Sequence, residues 1–433
     1  SEELVKVMSA LMGVEAAPGG AVDPDERRHL IGEALSRVED KLTFDKPLIL
    51  VLQDVHWSDS QSWEIFLQLI RSKAKRTIMG IATARPDERV LEAAAEVNTI
   101  TLVLDELSAD EQRKMILARF VDPEGASALA DEIALRAGGN PFFIREIIDS
   151  LVDRGILAPA PHLLAWVKKD AAMHVPASIE ALVATRLDRL PASEKEALTH
   201  ASVLGRAFTR SNVEALLTRV AEHDLARLVE RSLITADPSG RASKDAFTFR
   251  NETTRAVAYD LLPEEERAKL HRLAAVHLQT LPSYRPCQDD AEIAYHLDRA
   301  GESAKAGRCH LAAALHAVRV RGTVEAHRHL VRALQLLPTD AHEERYLARA
   351  EREQILRALG RRPQQLREIH RLRREAIFLA DKGREAQALT RLAQFYSDVG
   401  GKSRAANQVL AEALATAREA GGGLVEAEVL RVK

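Results

Sequence analysis

The sequence predicts a multi-domain, mainly α-helical protein with a partial α/β core near its N-terminal end. Three observations carry this. Five consecutive apolar residues, Leu48 to Leu52, form a run of the kind that parallel sheets bury on both faces, and the run ends at Gln53 and an acid, Asp54. Aromatic residues make up only 4% of the chain, while Ala, Leu, Arg and Glu dominate, a composition that favours helices. From about residue 264 onward, helical periods follow one another with recurrent small and large apolar positions.

Composition sets the outer bounds. At 433 residues the chain has room for about two to four domains. It is 46% hydrophobic and 29% charged, ordinary for a soluble protein. No apolar run reaches the roughly eighteen residues a transmembrane helix needs, so no membrane partner is expected. Cys287 and Cys309 match no metal or redox spacing and read as reduced cytosolic thiols, which points to a cytoplasmic protein. A net charge of -3 argues against a strongly basic nucleic-acid surface without excluding a local patch.

The α/β segment covers residues 1 to about 107. Leu48–Leu52, Ile78–Thr83 and Thr99–Leu104 are its strand candidates, and Asp25–Lys41 and Ser62–Ile70 its helices. Asp54 stands at the carboxyl end of the first strand, where open α/β sheets place their ligand crevice. A carboxylate there can hold Mg²⁺ against the phosphates of a nucleoside triphosphate. A buried strand followed by a polar loop is the competing reading, and the strand alone leaves both open.

The words that follow the strand resemble a known family. Asp54-Val55-His56-Trp57-Ser58-Asp59-Ser60 looks like the Walker B segment of STAND-class signalling ATPases, a branch of the AAA+ group. Ile81-Ala82-Thr83-Ala84-Arg85-Pro86 is similar to the family's sensor 1 strand end, where an arginine senses the terminal phosphate. Gly138-Gly139-Asn140-Pro141-Phe142-Phe143-Ile144-Arg145-Glu146 looks like the lid motif, whose proline lies near the adenine. Phe247-Thr248-Phe249-Arg250-Asn251-Glu252, followed by Tyr259-Asp260-Leu261-Leu262, resembles the end of the family's winged-helix domain. Each motif is weakly specific, and all four stand in the family's order.

That resemblance implies ATP or ADP with Mg²⁺ as cofactors of the intact protein. It implies Asp54 as metal ligand and catalytic residue, Arg85 as a second catalytic residue, and Gly139, Asn140, Pro141, Arg250 and Asn251 as nucleotide contacts. Two positions depart from the pattern. Gln53 stands where related sequences often carry a glutamate, which puts in doubt the residue that would polarise the attacking water. Asn251 stands where histidine is common; asparagine donates a hydrogen bond but carries no charge. Asp59 fits either a second acid or a helix cap, and Trp57 fits core packing.

ATP binding also needs a glycine-rich turn with a lysine, G-x-x-x-x-G-K-[ST], whose amides cradle the phosphates. None precedes Asp54. Gly401-Lys402-Ser403 is a decoy, because position 396, where the first glycine belongs, is Tyr396. The expectation is a C-terminal part of a longer protein, with an effector domain and the phosphate loop upstream. This part alone would hold no nucleotide tightly and turn none over.

A helical lid is expected over about 108–172. Ser108-Ala109-Asp110-Glu111 spells a capping box, Asn140-Pro141 a helix start, and Gly155 a helix end. Residues 173–263 read as a winged helix. Its helices fall at Ile179–Arg189, Glu194–Gly205, Ser211–Leu217 and Glu222–Arg231. A hairpin then joins Leu233–Ala236 to Ala246–Arg250 across Asp237-Pro238-Ser239-Gly240. Such a domain can insert a helix into DNA; here the surrounding sequence is mixed in charge, and the family resemblance implies that the domain packs on the nucleotide instead.

Residues 264–433 read as repeats. Ala326, Leu330, Ala333 and Pro338 fit the register of tetratricopeptide repeats, Ala406, Leu410 and Ala413 repeat it, and Gln365, Ile369 and Leu372 fit loosely between. An irregular helical bundle is the alternative, and Pro363 marks a candidate loop. His296, His310, His327 and His329 lie on predicted helices without metal spacing. The function expected is a regulatory switch whose repeats receive a protein partner or small inducer. The alternatives are an interaction scaffold with a decayed ATPase core and an origin-recognition-like DNA-binding ATPase.

Overall fold

The computed structural model describes residues 47–55, 58, 63, 66–67, 70, 78–85, 92, 95, 99–160, 163–168, 178–236, 245–319, 322–398 and 403–432. The chain is mainly helical and separates into two compact units. One comprises residues 103–284 and 295–302, the other residues 1–102, 285–294 and 303–433. The expected helix Asp25–Lys41 and the signature residues His56, Trp57 and Asp59 lie outside the described residues.

In the second of these units, β1 (Leu48–Leu52) and β2 (Ile78–Ala82) pair in parallel, with Leu48 opposite Ile78 and Leu52 opposite Ala82. Trp63, Phe66, Leu67 and Ile70 are helical, as expected for the segment after β1. This helix lies close over β2: a Cβ added at Gly80 would come within 2.6 Å of Ile70 Cδ1. The third expected strand, Thr99–Leu104, does not form. Residues 99–107 have no regular structure, and Ile100, Leu102, Val103 and Leu104 are exposed. Its apolar composition suits a strand, but a strand exists only by pairing, and no described strand pairs with it.

The unit built on residues 103–284 begins with α1 (Ala109–Leu117), α2 (Ser127–Ala137) and α3 (Pro141–Asp153). Ser108 and Glu111 form the expected capping box, and Gly155, with φ +62, lies just beyond the end of α3. An unexpected hairpin follows. β3 (Leu157–Ala160) pairs antiparallel with β4 (Leu163–Trp166), and Leu164 exchanges backbone hydrogen bonds with Arg119 and Val121. This segment is therefore not wholly helical. Ile116, Ile133, Ile144, Ile147, Leu151 and Leu157 close its core.

Next come α4 (Ile179–Asp188), α5 (Ala192–Leu204), β5 (Ala207–Thr209), α6 (Arg210–Leu217), α7 (Glu222–Glu230), β6 (Ile234–Ala236), β7 (Ala246–Phe249) and α8 (Glu252–Asp260). The strands form one antiparallel sheet of order β5-β7-β6, in which β6 and β7 are the expected hairpin. Phe249 is buried in the core with Leu187, Leu198, Leu225 and Leu228. α9 (Glu264–Thr280) packs on this group through Leu270 and Ala274.

After α10 (Asp290–Arg299) the chain is an array of helices. These are α11 (Ser303–Arg319), α12 (Thr323–Leu336), α13 (His342–Ala358), α14 (Arg362–Phe378), α15 (Lys382–Asp398), α16 (Ser403–Glu419) and α17 (Leu424–Val432). Ala326, Leu330 and Ala333 of α12, Gln365, Ile369 and Leu372 of α14, and Ala406, Leu410 and Ala413 of α16 are all buried. The register read from the sequence is thus the packing register of the second helix in each hairpin. Small residues admit close approach: a Cβ at Gly307 of α11 would stand 2.9 Å from Leu337 N. Pro363 falls in the first turn of α14, where proline is tolerated, so the break precedes it at Gly360. Among the described residues no helix is long and apolar enough to cross a membrane.

Candidate functional site

The paired strands bring Asp54 and Arg85 to one edge. In-register parallel pairing from Leu48–Ile78 to Leu52–Ala82 carries both chains off the sheet at the same end. There Thr83 N donates to Leu52 O at 2.9 Å, Val55 N donates to Thr83 O at 2.9 Å, and Asp54 N donates to Thr83 Oγ1 at 3.1 Å. Asp54 has a left-handed backbone, φ 55. Aspartate tolerates that region better than most residues, but at a conformational cost, and such outliers gather at working sites. Ser58 Oγ caps the following turn on Val55 O at 2.7 Å. Asp54 is half-buried, and Gln53 and Arg85 are exposed. A carboxylate and a guanidinium at the carboxyl edge of a parallel sheet can serve a metal–phosphate ligand.

Gly139, Asn140 and Pro141 form a second locus, and its polar groups are already engaged. Asn140 Oδ1 accepts from Phe142 N at 2.9 Å and Phe143 N at 3.3 Å, which caps α3 with Pro141 in its first turn. Gly139 N donates to Gln112 Oε1 at 3.1 Å, and Gly139 O accepts from Leu107 N at 2.9 Å. Gly139 is required here: its φ is +86, and a Cβ would lie 2.7 Å from Glu106 Cβ. The amide of Gly139 is therefore committed, and Asn140 keeps only its NH₂ for an outside acceptor.

Arg250 and Asn251 form the third locus, at the start of α8. Asn251 Oδ1 accepts from Thr254 N at 2.7 Å, as expected of a cap, and Arg250 N donates to Leu233 O at 3.2 Å. Among the described residues no hydrogen bond or ion pair joins this locus to Gly139–Pro141. The free amides of a helix start suit an anion.

Several polar residues escaped the sequence reading. Gln112 is buried and clamps the Gly139 loop, donating also to Leu107 O at 3.0 Å. Glu146, the last residue of the lid motif, is buried and pairs with Arg186 of α4 at 2.7 Å, while Arg186 Nε reaches Asp153 at 2.9 Å. Burial pushes the Glu146 and Asp149 carboxyls up against the pull of Arg186. In α9 and α10, His271 Nδ1 and His296 Nδ1 lie 2.8 Å apart, with Tyr259 OH 2.9 Å from His271 Nε2. His310 and His329 make a similar pair at 2.9 Å. No cluster of three metal-ligating side chains occurs among the described residues. Burial pushes the Cys309 thiol up to about 11, so it stays protonated and unreactive.

No family model matches the sequence. An uncharacterized protein of Rhizobium meliloti (strain 1021) is 28% identical over 345 residues, 77% of this chain and 32% of that protein. The chain thus spans about a third of the length of this curated relative. A solved structure, a signal transduction ATPase with numerous domains (STAND) protein with a tetratricopeptide repeat sensor from Pyrococcus horikoshii, aligns over 99% of this chain and 69% of its own. Its identity is 13% and its TM-score 0.41.

Proposed function

We propose that the chain is part of a nucleotide-responsive signalling switch of the STAND type, whose helical array receives a partner. The observation that carries this reading is the shared edge of β1 and β2. It sets an acid with a left-handed backbone, Asp54, hydrogen-bonded to the strand end that leads into Arg85. Asp54 would hold Mg²⁺ and Arg85 would answer the terminal phosphate of ATP, which the metal keeps in line when it is bound. Gly139, Asn140, Pro141, Arg250 and Asn251 are assigned to the nucleotide by resemblance. Of these, the Asn140 and Asn251 amides and the first turn of α8 have donors to offer. The Gly139 amide does not, so that glycine serves to shape the loop.

Calorimetric titration with MgATP and MgADP tests the reading. Weak binding that depends on the metal and is lost in Asp54→Ala supports it, because this sequence lacks the phosphate loop that supplies most contacts. Submicromolar affinity that survives Asp54→Ala and metal removal would overturn it. Joining an upstream segment with a phosphate loop should then restore Asp54-dependent hydrolysis.

A further inference from the structure

Helix α14 carries two opposed faces. Gln365, Glu368, Ile369, Leu372, Glu375 and Ala376 are buried. The opposite arc, about 120° wide at the helical period, holds Arg367, His370, Arg371, Arg374, Ile377 and Phe378, all exposed. Ile377 is 54% and Phe378 63% exposed, the latter with one ring face stacked on His342 at 4.6 Å.

Positive charge on this face is in excess. Arg367 and Arg374 make no ion pair among the described residues. Arg371 comes only within 3.7 Å of Glu368, a carboxylate already taken by Arg349 and Arg352 at 2.6 Å each. Several other arginines of the array do reach a carboxylate: Arg384 reaches Glu343 at 2.6 Å, Arg391 reaches Glu353 at 2.7 Å and Arg373 reaches Glu412 at 2.6 Å. Nor does the fold demand these cations. Aligned on the shared buried positions Gln365 and Ala406, the places of Arg367, His370, Arg371 and Arg374 are taken in α16 by Gln408, Ala411, Glu412 and Ala415. Like charges one helical turn apart, as at Arg367 and Arg371, work against the helix, so the face is better explained by something it meets.

We infer that this face of α14 docks an acidic segment of a partner protein, with carboxylates against Arg367, Arg371 and Arg374 and an apolar anchor against Ile377 and Phe378. The inference rests on the reading of the array as the partner-receiving part. Charge complementarity selects an acidic occupant. The apolar end selects a protein segment over a nucleic acid: the cationic stretch spans only about three helical turns and stops at two largely exposed hydrocarbon side chains, in a chain of net charge -3.

The probe is a fluorescein-labelled peptide of alternating Glu and Ala ending in Leu-Phe, titrated into the full chain without nucleotide and followed by anisotropy. Binding is expected at about 50 mM salt and should fade by about 300 mM, as screening of surface charge requires. The triple reversal Arg367→Glu, Arg371→Glu and Arg374→Glu should weaken it about tenfold or more. Phe378→Ser should weaken it with the salt dependence kept. A Lys-for-Glu peptide should bind the reversed variant, whose helix content and melting temperature by circular dichroism should match the wild type. Arg374→Ala, which breaks no ion pair, serves as a second, milder variant and should weaken binding to a smaller extent. Absence of binding, binding indifferent to these substitutions, or tighter binding of duplex DNA or phosphatidylserine vesicles through the same residues would each overturn the inference. The titration contains no nucleotide, so a failed nucleotide assay leaves its result standing.

Discussion

The His271–His296 pair should make the packing of α9 against α10 acid-labile. The two Nδ1 atoms are 2.8 Å apart, and His271 is 0% and His296 1% exposed. Such a contact holds one proton: one ring donates and the other accepts. Tyr259 occupies the far nitrogen of His271, and Arg267 and Arg299 add positive charge nearby. Burial, with those neighbours, pushes His271 down to about 3, and burial pushes His296 down to about 4. Both values lie below the unfolded histidine value of about 6.5. Between about pH 6.5 and the folded values the unfolded chain therefore binds protons that the folded chain refuses, and stability falls as pH falls. From about pH 7.5 to about pH 5, each ring costs about 2 kcal/mol, or about 4 kcal/mol for the pair as an upper limit. Hydrogen exchange of the α9 amides, corrected for intrinsic rates, reads the local opening free energy at both values. His296→Leu should remove about half of the pH dependence, whatever it does to absolute stability. Glu292 on α10 is pushed up by burial and acts in the opposite sense, but it is common to both proteins and cancels in the difference. Equal pH slopes in wild type and variant would refute the argument.

Three further outcomes follow from the geometry. Gly139→Ala must place a Cβ 2.7 Å from Glu106 Cβ at φ +86, and thermal melting should show a loss of about 1–3 kcal/mol. Arg186→Met strands Glu146 and Asp153, and urea unfolding should show a loss of about 3 kcal/mol, less than a fully buried pair would give because Asp153 is 33% exposed; adding Glu146→Leu should recover much of it. Asn251→Ala removes the cap on Thr254 N and should cost about 1 kcal/mol. Asn251→His in a chain supplied with a phosphate loop should strengthen ADP binding, whereas a lower melting temperature with unchanged affinity would leave Asn251 only its structural role.

What the sequence could reveal was local. Ser108 with Glu111, Asn140 with Pro141, and Asn251 announce helix starts because the capping atoms sit within three residues of the amides they satisfy. The triads at Ala326, Gln365 and Ala406 are legible because helical period alone brings them to one face. The hairpin β3–β4 was hidden because Pro159 and Pro161 interrupt an otherwise apolar stretch, and proline speaks against strands. Thr99–Leu104 shows the reverse failure, strand-forming residues without a described partner. Gln112 with Gly139, Glu146 with Arg186, and His271 with His296 are 27, 40 and 25 residues apart, and no local pattern marks such pairings.

The three candidate loci differ in how far local backbone geometry accounts for their residues, and this bears on what the motifs are for. At Gly139–Pro141 and at Asn251 the motifs' polar atoms, Asn140 Oδ1, Gly139 N and Asn251 Oδ1, are all consumed in building the local backbone. Each motif therefore has a sufficient structural cause, and a nucleotide would meet only the remaining asparagine N–H groups and the helix-start amides. The β1–β2 edge is different. Nothing in the pairing of Leu52 with Ala82 requires an acid next, nor a left-handed backbone at Asp54. A glycine or asparagine would meet the conformational need with less charge to desolvate. Strand pairing therefore does not account for the acid, and a functional test at Asp54 has the most to decide.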